Sequence, residues 1–354
     1  MEINSVSERL LRELVCPRDK LPLVCRGSGL VCSHGHEYPV VDGVPVLLLD
    51  DCVQTIGIAK ASLDAAKCYC RGERSEAPLF VSTLGINEEE KKGVLQEALR
   101  GGTGMDPVAK FMIGATNGIL YRELIGAVKE YAIPELRLPA GNGRRLLDIG
   151  CNWGRWSVAA ARLGYCPVGI DPSLGAVLAA RRVHRQLGLD ADFVVGDARY
   201  LPFRTGCLDV AFSYSVIQHF SKADALSSFA EIGRTLRSGG SSLIQMPNVF
   251  GIRCLFHQLK RGFRRPVRFE VRYWTAPELR RASIARIGAT DISVDCFFGI
   301  GLQAADLRLM PPGRQRLIRL SEALRRMSRT LRWMSYVADS IYVASIKVPA
   351  PGGG

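Results

Sequence analysis

Two sets of side chains carry the chemistry legible in this sequence. Cys16-Pro-Arg-Asp19, followed by Cys32-Ser-His-Gly-His36, offers thiol, carboxylate and imidazole donors on two short turns, the ligand types that hold zinc. The second set centres on Leu146-Leu-Asp-Ile-Gly-Cys-Asn-Trp-Gly-Arg-Trp156, where an apolar strand runs into a glycine-bearing turn and then a helix. Asp148 stands at the strand's carboxyl end, and Gly150 and Gly154 let a ligand approach the backbone with no Cβ in the way. A helix opening at about Trp156 adds free N–H groups beside the turn. Two later strands also end on carboxylates: Tyr165-Cys-Pro-Val-Gly-Ile-Asp171 and Phe193-Val-Val-Gly-Asp-Ala198. A carboxylate at the end of the second strand can accept hydrogen bonds from the vicinal hydroxyls of a ribose.

From Gly143 onward the pattern alternates: strand 145–149, helix 155–163, strand 167–170, helix 175–187, strand 192–195, strand 208–215, helix 223–236 and strand 241–246 after the Gly239-Gly240 turn. Segments 292–298 and 341–346 complete the sheet as an antiparallel pair. This predicts an α/β fold, a doubly wound, mostly parallel seven-stranded sheet whose ligands bind at the strands' carboxyl ends. The expected organisation is a small module at 1–51, a linker with one helix at 52–105, a helical lid at 106–142 and a main domain at 143–348. Asn87-Glu-Glu-Glu90 reads as a capping box for the linker helix, which Gly101-Gly-Thr-Gly104 ends. Asp106-Pro107 starts the lid helix, with apolar residues from Val108 to Tyr131 at helical spacing until Pro134. A polar break at Asn117-Gly118 interrupts that stripe.

At 354 residues and 47% apolar, the chain can build one sizeable core plus an appended module, which excludes disorder. No run reaches the roughly 18 apolar residues of a membrane helix, and Met1 to Glu13 is charged where a secretory signal is apolar. Eleven scattered cysteines do not form a disulfide framework, so reduced thiols and a cytoplasmic location are expected. The formal charge of +13 is compatible with RNA, an anionic membrane surface or an acidic substrate, and selects none of them.

The amino-terminal residues resemble the zinc-ribbon-like domain that accompanies methyltransferases as an activator. Cys16-Pro, Gly35-His36 and Tyr38-Pro-Val-Val-Asp-Gly-Val-Pro-Val-Leu47 carry the resemblance, over about forty residues. Cys16, Cys32 and His36 supply three ligands for a structural zinc; Asp19 stands where the second cysteine of a C-x-x-C turn is usual, with Cys25 and His34 as competitors. The alternative is a metal-free ribbon held by Val40, Val44, Val46 and Leu47 against the main domain. Bacterial ribosomal RNA guanine methyltransferases carry a comparable module that helps engage RNA, and the resemblance extends that role here.

Residues 145–248 resemble a class I S-adenosylmethionine-dependent methyltransferase of the group acting mostly on small molecules and lipids. That resemblance implies a Rossmann-like fold in which Asp148, Gly150, Cys151, Asn152 and Gly154 surround the methionine part of the cofactor. Asp171 holds the ribose, Asp197 and Ala198 address the adenine, and the loop from Ser213 to His219 lines the cleft. Asn152 replaces the middle glycine of G-x-G-x-G; asparagine tolerates a left-handed backbone and can add a side-chain hydrogen bond. A nicotinamide dehydrogenase fits less well, because Arg155 breaks G-x-G-x-x-G.

Methyl transfer needs an in-line nucleophile and at most a base, for which His219 is the candidate. The basic insertion 250–272 stands where a substrate pocket is built, and helix 314–334 is amphipathic, expected to dock on the domain or to touch a membrane peripherally. The acceptor is thus expected to be a small molecule or lipid. RNA is the alternative, without an Asn-Pro-Pro-Tyr-type sequence after the fourth strand, and a non-catalytic cofactor-binding scaffold is the third reading.

Overall fold

The computed structural model describes residues 6–73, 79–101, 104–117, 119–267, 269–299 and 301–348; Gly118, Arg268 and the Gly102-Thr103 part of the expected turn lie outside the described residues. The chain begins with α1 (Glu8–Glu13), whose N-cap Ser7 accepts a hydrogen bond from the Leu10 N–H. A four-stranded antiparallel sheet follows, made of β1 (Leu23–Arg26), β2 (Gly29–Cys32), β3 (Glu37–Val41) and β4 (Val44–Pro45).

This module has no core of its own. Leu10, Leu14, Cys16, Leu30 and Tyr38 pack in one cluster with Ile149, Val168, Val194 and Phe203 of the main domain. Too few apolar side chains lie between residues 6 and 49 to bury themselves alone, so the module uses the sheet as its other half.

The segment 52–105 holds two helices, not the single one expected: α2 (Gly57–Cys70) and α3 (Glu88–Arg100). The first lacks a side-chain cap at Ile56, so it carried no start signal; its Ala59, Leu63 and Ala66 pack against Leu174, Val177 and Leu178. The second begins with the anticipated capping box between Asn87 and Glu90. Helix α4 (Pro107–Thr116) starts at Asp106 as expected but ends at Asn117, and a 3-10 turn, Ile119–Leu124, replaces the second half of the expected helical segment. The polar break thus wins over the apolar spacing beyond it.

The main domain runs β5 (Arg145–Ile149), α5 (Arg155–Arg162), β6 (Cys166–Asp171), α6 (Leu174–Gln186), β7 (Asp192–Val195), β8 (Leu208–Ser213), α7 (Lys222–Thr235), β9 (Leu236–Pro247), α8 (Ile252–Lys260), α9 (Ala276–Arg286), β10 (Gly288–Cys296), α10 (Pro312–Met327) and β11 (Ser340–Lys347). The seven-stranded sheet has the order β10-β11-β9-β8-β5-β6-β7. β5 to β9 pair parallel and β11 pairs antiparallel to both β9 and β10. Every residue of β5 is buried, as a central parallel strand covered on both faces requires. Gly239 and Gly240 lie within β9, not in a turn before it.

Three features tie the amino-terminal module to this sheet. Leu47 donates its N–H to the Val195 carbonyl at 2.7 Å, which extends the sheet beyond β7. Lys20 pairs with Glu231 at 2.8 Å. Arg145, buried at the start of β5, pairs with Glu13 and with Asp192, each at 2.7 Å, and Asp192 also takes Arg9 at 3.1 Å. These paired charges are shielded by the module itself, so removing it would strip Arg145 of Glu13 and Asp192 of Arg9 and open the remaining pair to water.

At the other end, α10 is docked through Ile318, while Arg137 pairs with buried Glu322 at 2.8 Å. The expected amphipathic helix 314–334 stops at Met327, and Leu320, Met327 and Leu331 of its anticipated apolar face are exposed. No helix among the described residues is long and apolar enough to cross a membrane, and all eleven cysteines are free.

Candidate functional site

A cavity of about 480 Å³ opens at the carboxyl ends of β5, β6 and β8. Its floor is the turn after β5. Gly150 has φ +74°, and a Cβ there would meet Val216 Cγ2 at 2.2 Å, so only glycine fits. The Gly150 and Cys151 N–H groups both donate to the Ile170 carbonyl, at 2.8 and 3.1 Å. Asn152 adopts the left-handed conformation at φ 49°, and its Oδ1 accepts the Trp153 N–H at 2.8 Å. That side-chain bond is the compensation expected for the missing glycine.

The Asn152 N–H donates to Asp171 Oδ2 at 3.0 Å, and Ser173 N–H to Asp171 Oδ1 at 2.9 Å. These two bonds fix the carboxylate plane and leave further lone pairs facing the cavity. Burial pushes the Asp171 carboxyl up to about 6, against those two backbone bonds.

Gly150, Cys151, Asn152, Asp171, Asp197 and Ala198 all line the cavity, whereas Asp148, Gly154 and Ser213 do not. Asp148 lies beneath the turn and accepts the Ser157 hydroxyl at 2.7 Å; burial raises it to about 7, despite that bond. Gly154 is glycine for packing: a Cβ would meet Ala180 Cβ of α6 at 2.9 Å. Ser213 donates to the Ile149 carbonyl at 3.3 Å and is buried between strands. The carboxylate of Asp197 is held by the Arg199 guanidinium at 2.7 Å, and Arg199 reaches on to Asp224 and the Val53 carbonyl. At that end of the cavity Ala198 and Gly196 offer backbone and small surface, with Asp197's charge already neutralised.

His219 lines the cavity, but neither ring nitrogen is free. Its Nδ1 lies 2.7 Å from the Phe269 carbonyl and therefore carries the proton, leaving Nε2 to accept from Gln218 at 3.2 Å. The ring stacks on Phe269 at 4.0 Å, and burial, with Arg272 nearby, lowers its pKa to about 4. Nε2 is thus engaged by the Gln218 amide and not open to the cavity.

Several further residues form the wall, of which only Asn117, as a polar break, and Arg155, after the glycine turn, stood out in the sequence. Thr55 and Ile56, before α2, and Thr116 and Asn117, at the end of α4, close the cavity from above. Arg155, 7% exposed, lines it with no ion pair among the described residues, its guanidinium over Trp156 at 5.3 Å. Its place directly after the glycine turn was the available clue.

A second chamber of about 180 Å³ shares Tyr214, Ser215, Gly299 and Gly301 with the first. Its dividing wall is braced from behind: Tyr214 donates to Asp295 at 2.8 Å, and Asp295 pairs with Arg137 at 2.8 Å. Ser215, at φ 62°, is held by its N–H bond to Gln245 Oε1 at 2.8 Å.

In the amino-terminal module Cys16, Asp19, Cys32 and His36 converge, with donor atoms within 4.8 Å of one another. His36 Nδ1 lies 3.6 Å from Cys16 Sγ, 3.5 Å from Cys32 Sγ and 3.1 Å from Asp19 Oδ2, and Cys32 Sγ lies 3.7 Å from Asp19 Oδ2. A tetrahedral ion with bonds of about 2.0–2.3 Å sets its ligands roughly 3.3–3.8 Å apart, and the three sulfur distances fall in that range while the His36–Asp19 pair is slightly closer, so the donor types and their convergence are compatible with zinc. Cys25 is exposed and outside the cluster, and His34 touches only its edge, 3.0 Å from Asp19.

Residues 146–240 match a family model described as a methyltransferase domain. The chain carries a class I S-adenosylmethionine-dependent methyltransferase domain. S-adenosylmethionine is the cofactor of that family.

The methyltransferase domain has curated relatives. The chain is 38% identical over 108 residues to the biotin biosynthesis bifunctional protein BioHC of Cellvibrio japonicus, covering 30% of this chain and 20% of that protein. It is 33% identical over 129 residues to a ubiquinone biosynthesis O-methyltransferase of Ruegeria, covering 34% and 51%. It therefore spans about a fifth and about half of their lengths. A UPF0434 protein of Vesicomyosocius okutanii is 45% identical over 47 residues, which are 13% of this chain and 80% of that protein, and over that stretch the chain belongs with the UPF0434 family.

The buried carboxyls under this domain's turn set a pH dependence. Asp148 and Asp171 bind protons more tightly folded, at about 7 and about 6, than unfolded, at 3.8. The folded state thus holds more protons between these values, and stability falls as pH rises from about 4 to about 7. Urea midpoints across that range should decline for the wild type and decline less for Asp171→Asn; parallel declines would show that Asp171 is not the group concerned.

Proposed function

We propose that this chain transfers the methyl group of S-adenosylmethionine to a small, lipid-like acceptor seated in the second chamber. The observation that carries the reading is the shared wall of Tyr214 and Ser215, which joins a nucleoside-sized cavity to a much smaller compartment. A compartment of about 180 Å³ suits one small reactive group and not a folded polymer. The relatives named for ubiquinone and biotin biosynthesis favour the same substrate class.

In this reading Asp171 accepts the ribose hydroxyls, and the turn from Gly150 to Asn152 encloses the methionyl part. The adenine lies against Gly196 and Ala198, with Asp197 held in place by Arg199. The cofactor supplies an electrophilic methyl carbon, so the protein's task is alignment of the nucleophile and exclusion of water. Tyr214 and Ser215, braced through Asp295 and Gln245, set the aperture between the two compartments. His219 is a positioning residue that fixes Phe269 over the opening, and the acceptor's proton leaves to water.

Incubation with methyl-labelled cofactor and fractionated host extract tests this reading. Label is expected in an organic-extractable small product; label in RNA, or in none of the fractions, would overturn it. With that acceptor, His219→Asn should lose less than about tenfold in turnover, because a true general base contributes on the order of 10²–10⁴-fold. A loss of that larger size, with a shifted pH profile, would restore the base.

We also propose that Cys16, Asp19, Cys32 and His36 hold a structural zinc, on the strength of their donor types and close convergence. Native mass spectrometry should find one zinc per chain in the wild type and none in Cys32→Ser. A zinc-free wild type after reconstitution would sink the assignment.

A further inference from the structure

The helix α8 is turned inside out. Its buried residues are Cys254 and Gln258, while Ile252, Phe256 and Leu259, four and three residues apart, form one stripe facing solvent at 61–65% exposure. The apolar surface continues past the helix: Phe263, Val267 and Phe269 are 46–63% exposed. Basic side chains interleave with it, since Lys260, Arg264 and Arg265 are exposed. Across residues 250–272 the sequence has seven lysines and arginines and a single acid, Glu270, which is paired with Arg264.

We infer that this surface docks on an anionic lipid bilayer and delivers the acceptor from it. An aromatic and aliphatic stripe flanked by cations is the composition of an interfacial helix, with the apolar face in the acyl boundary and the cations at the headgroups. A second copy of the chain is a poorer occupant, because pairing this face with itself sets Lys260 and Arg265 against their own equivalents. RNA is poorer too, because the exposed aliphatic side chains of Ile252, Leu259 and Val267, set among the phenylalanines, gain nothing from a stacked base or a phosphate backbone and are buried only by an apolar phase.

The placement joins the surface to the site. Arg253 and His257 of α8 line the second chamber, and Phe269 both reaches the surface and lines the main cavity, stacked on His219. An acceptor with an apolar tail would leave its tail in the lipid and present its head group to the chamber. The inference rests on the proposed methyl transfer only for what the chamber receives; the docking itself does not depend on it.

Flotation of the full chain with vesicles of phosphatidylcholine alone, and of phosphatidylcholine mixed with phosphatidylglycerol, tests the docking. The wild type should float with the mixed vesicles at low salt and less so as salt rises. F256S/F263S should stay at the bottom, and K260Q/R265Q should bind about fivefold more weakly for each charge removed. Each variant should keep the wild type's cofactor titration, which separates loss of docking from loss of fold or of the methyl-donor site. Wild-type protein that ignores the mixed vesicles, or variants that bind them equally, would overturn the inference. So would a wild-type dimer that F256S/F263S converts to monomer without any flotation, or a retention of RNA that these variants abolish.

Discussion

At the end of β5 three backbone N–H groups reach across to the end of β6: Gly150 and Cys151 to the Ile170 carbonyl, and Asn152 to the Asp171 carboxylate. Everything that makes the cavity follows from this lacing. It turns the chain out of the strand within two residues, which only the positive φ of Gly150 permits against Val216. It also aims Asp171 by occupying one lone pair on each oxygen with a backbone donor. The cost is a carboxylate buried where water cannot solvate it, and its raised pKa records that cost.

The amino-terminal module supports the same site from the sheet's edge. Leu47 continues the hydrogen-bonding of β7, the chain then passes Val53, whose carbonyl takes Arg199, and Thr55 and Ile56 arrive over the cavity. A metal cluster at Cys16 and Cys32 would therefore act on the site only mechanically, by fixing the path of residues 46–56. The module, the helix α2 and the methyltransferase domain are packed together through shared apolar clusters.

The parallel sheet and its neighbours were legible in the sequence because their signals are local: apolar runs, acids at strand ends, and caps such as Asn87 and Asp106. Asn152 was legible for the same reason, since left-handed tolerance and a short amide belong to the residue itself. What stayed hidden depends on distant partners. The helix α2 has no cap and an alanine-rich face that is apolar only when set against α6. The surroundings of His219 were hidden because its bond to the Phe269 carbonyl joins residues fifty positions apart. Asp148 and Ser213 fit the family pattern by position, yet they brace the strand ends from beneath the cavity. The outward apolar stripe of α8 was masked by the arginines around it, since composition records charge but not which face it occupies.

The central claim is that the turn after β5 and the carboxylate after β6 together form a methyl-donor site. Calorimetric titration of the purified chain with S-adenosylmethionine and with its demethylated product tests it most directly. Both should bind saturably at one site per chain, weakened at least about tenfold in Asp171→Ala, where the ribose loses a charged acceptor. Absence of binding to either ligand, or an Asp171→Ala affinity equal to the wild type's, would contradict it.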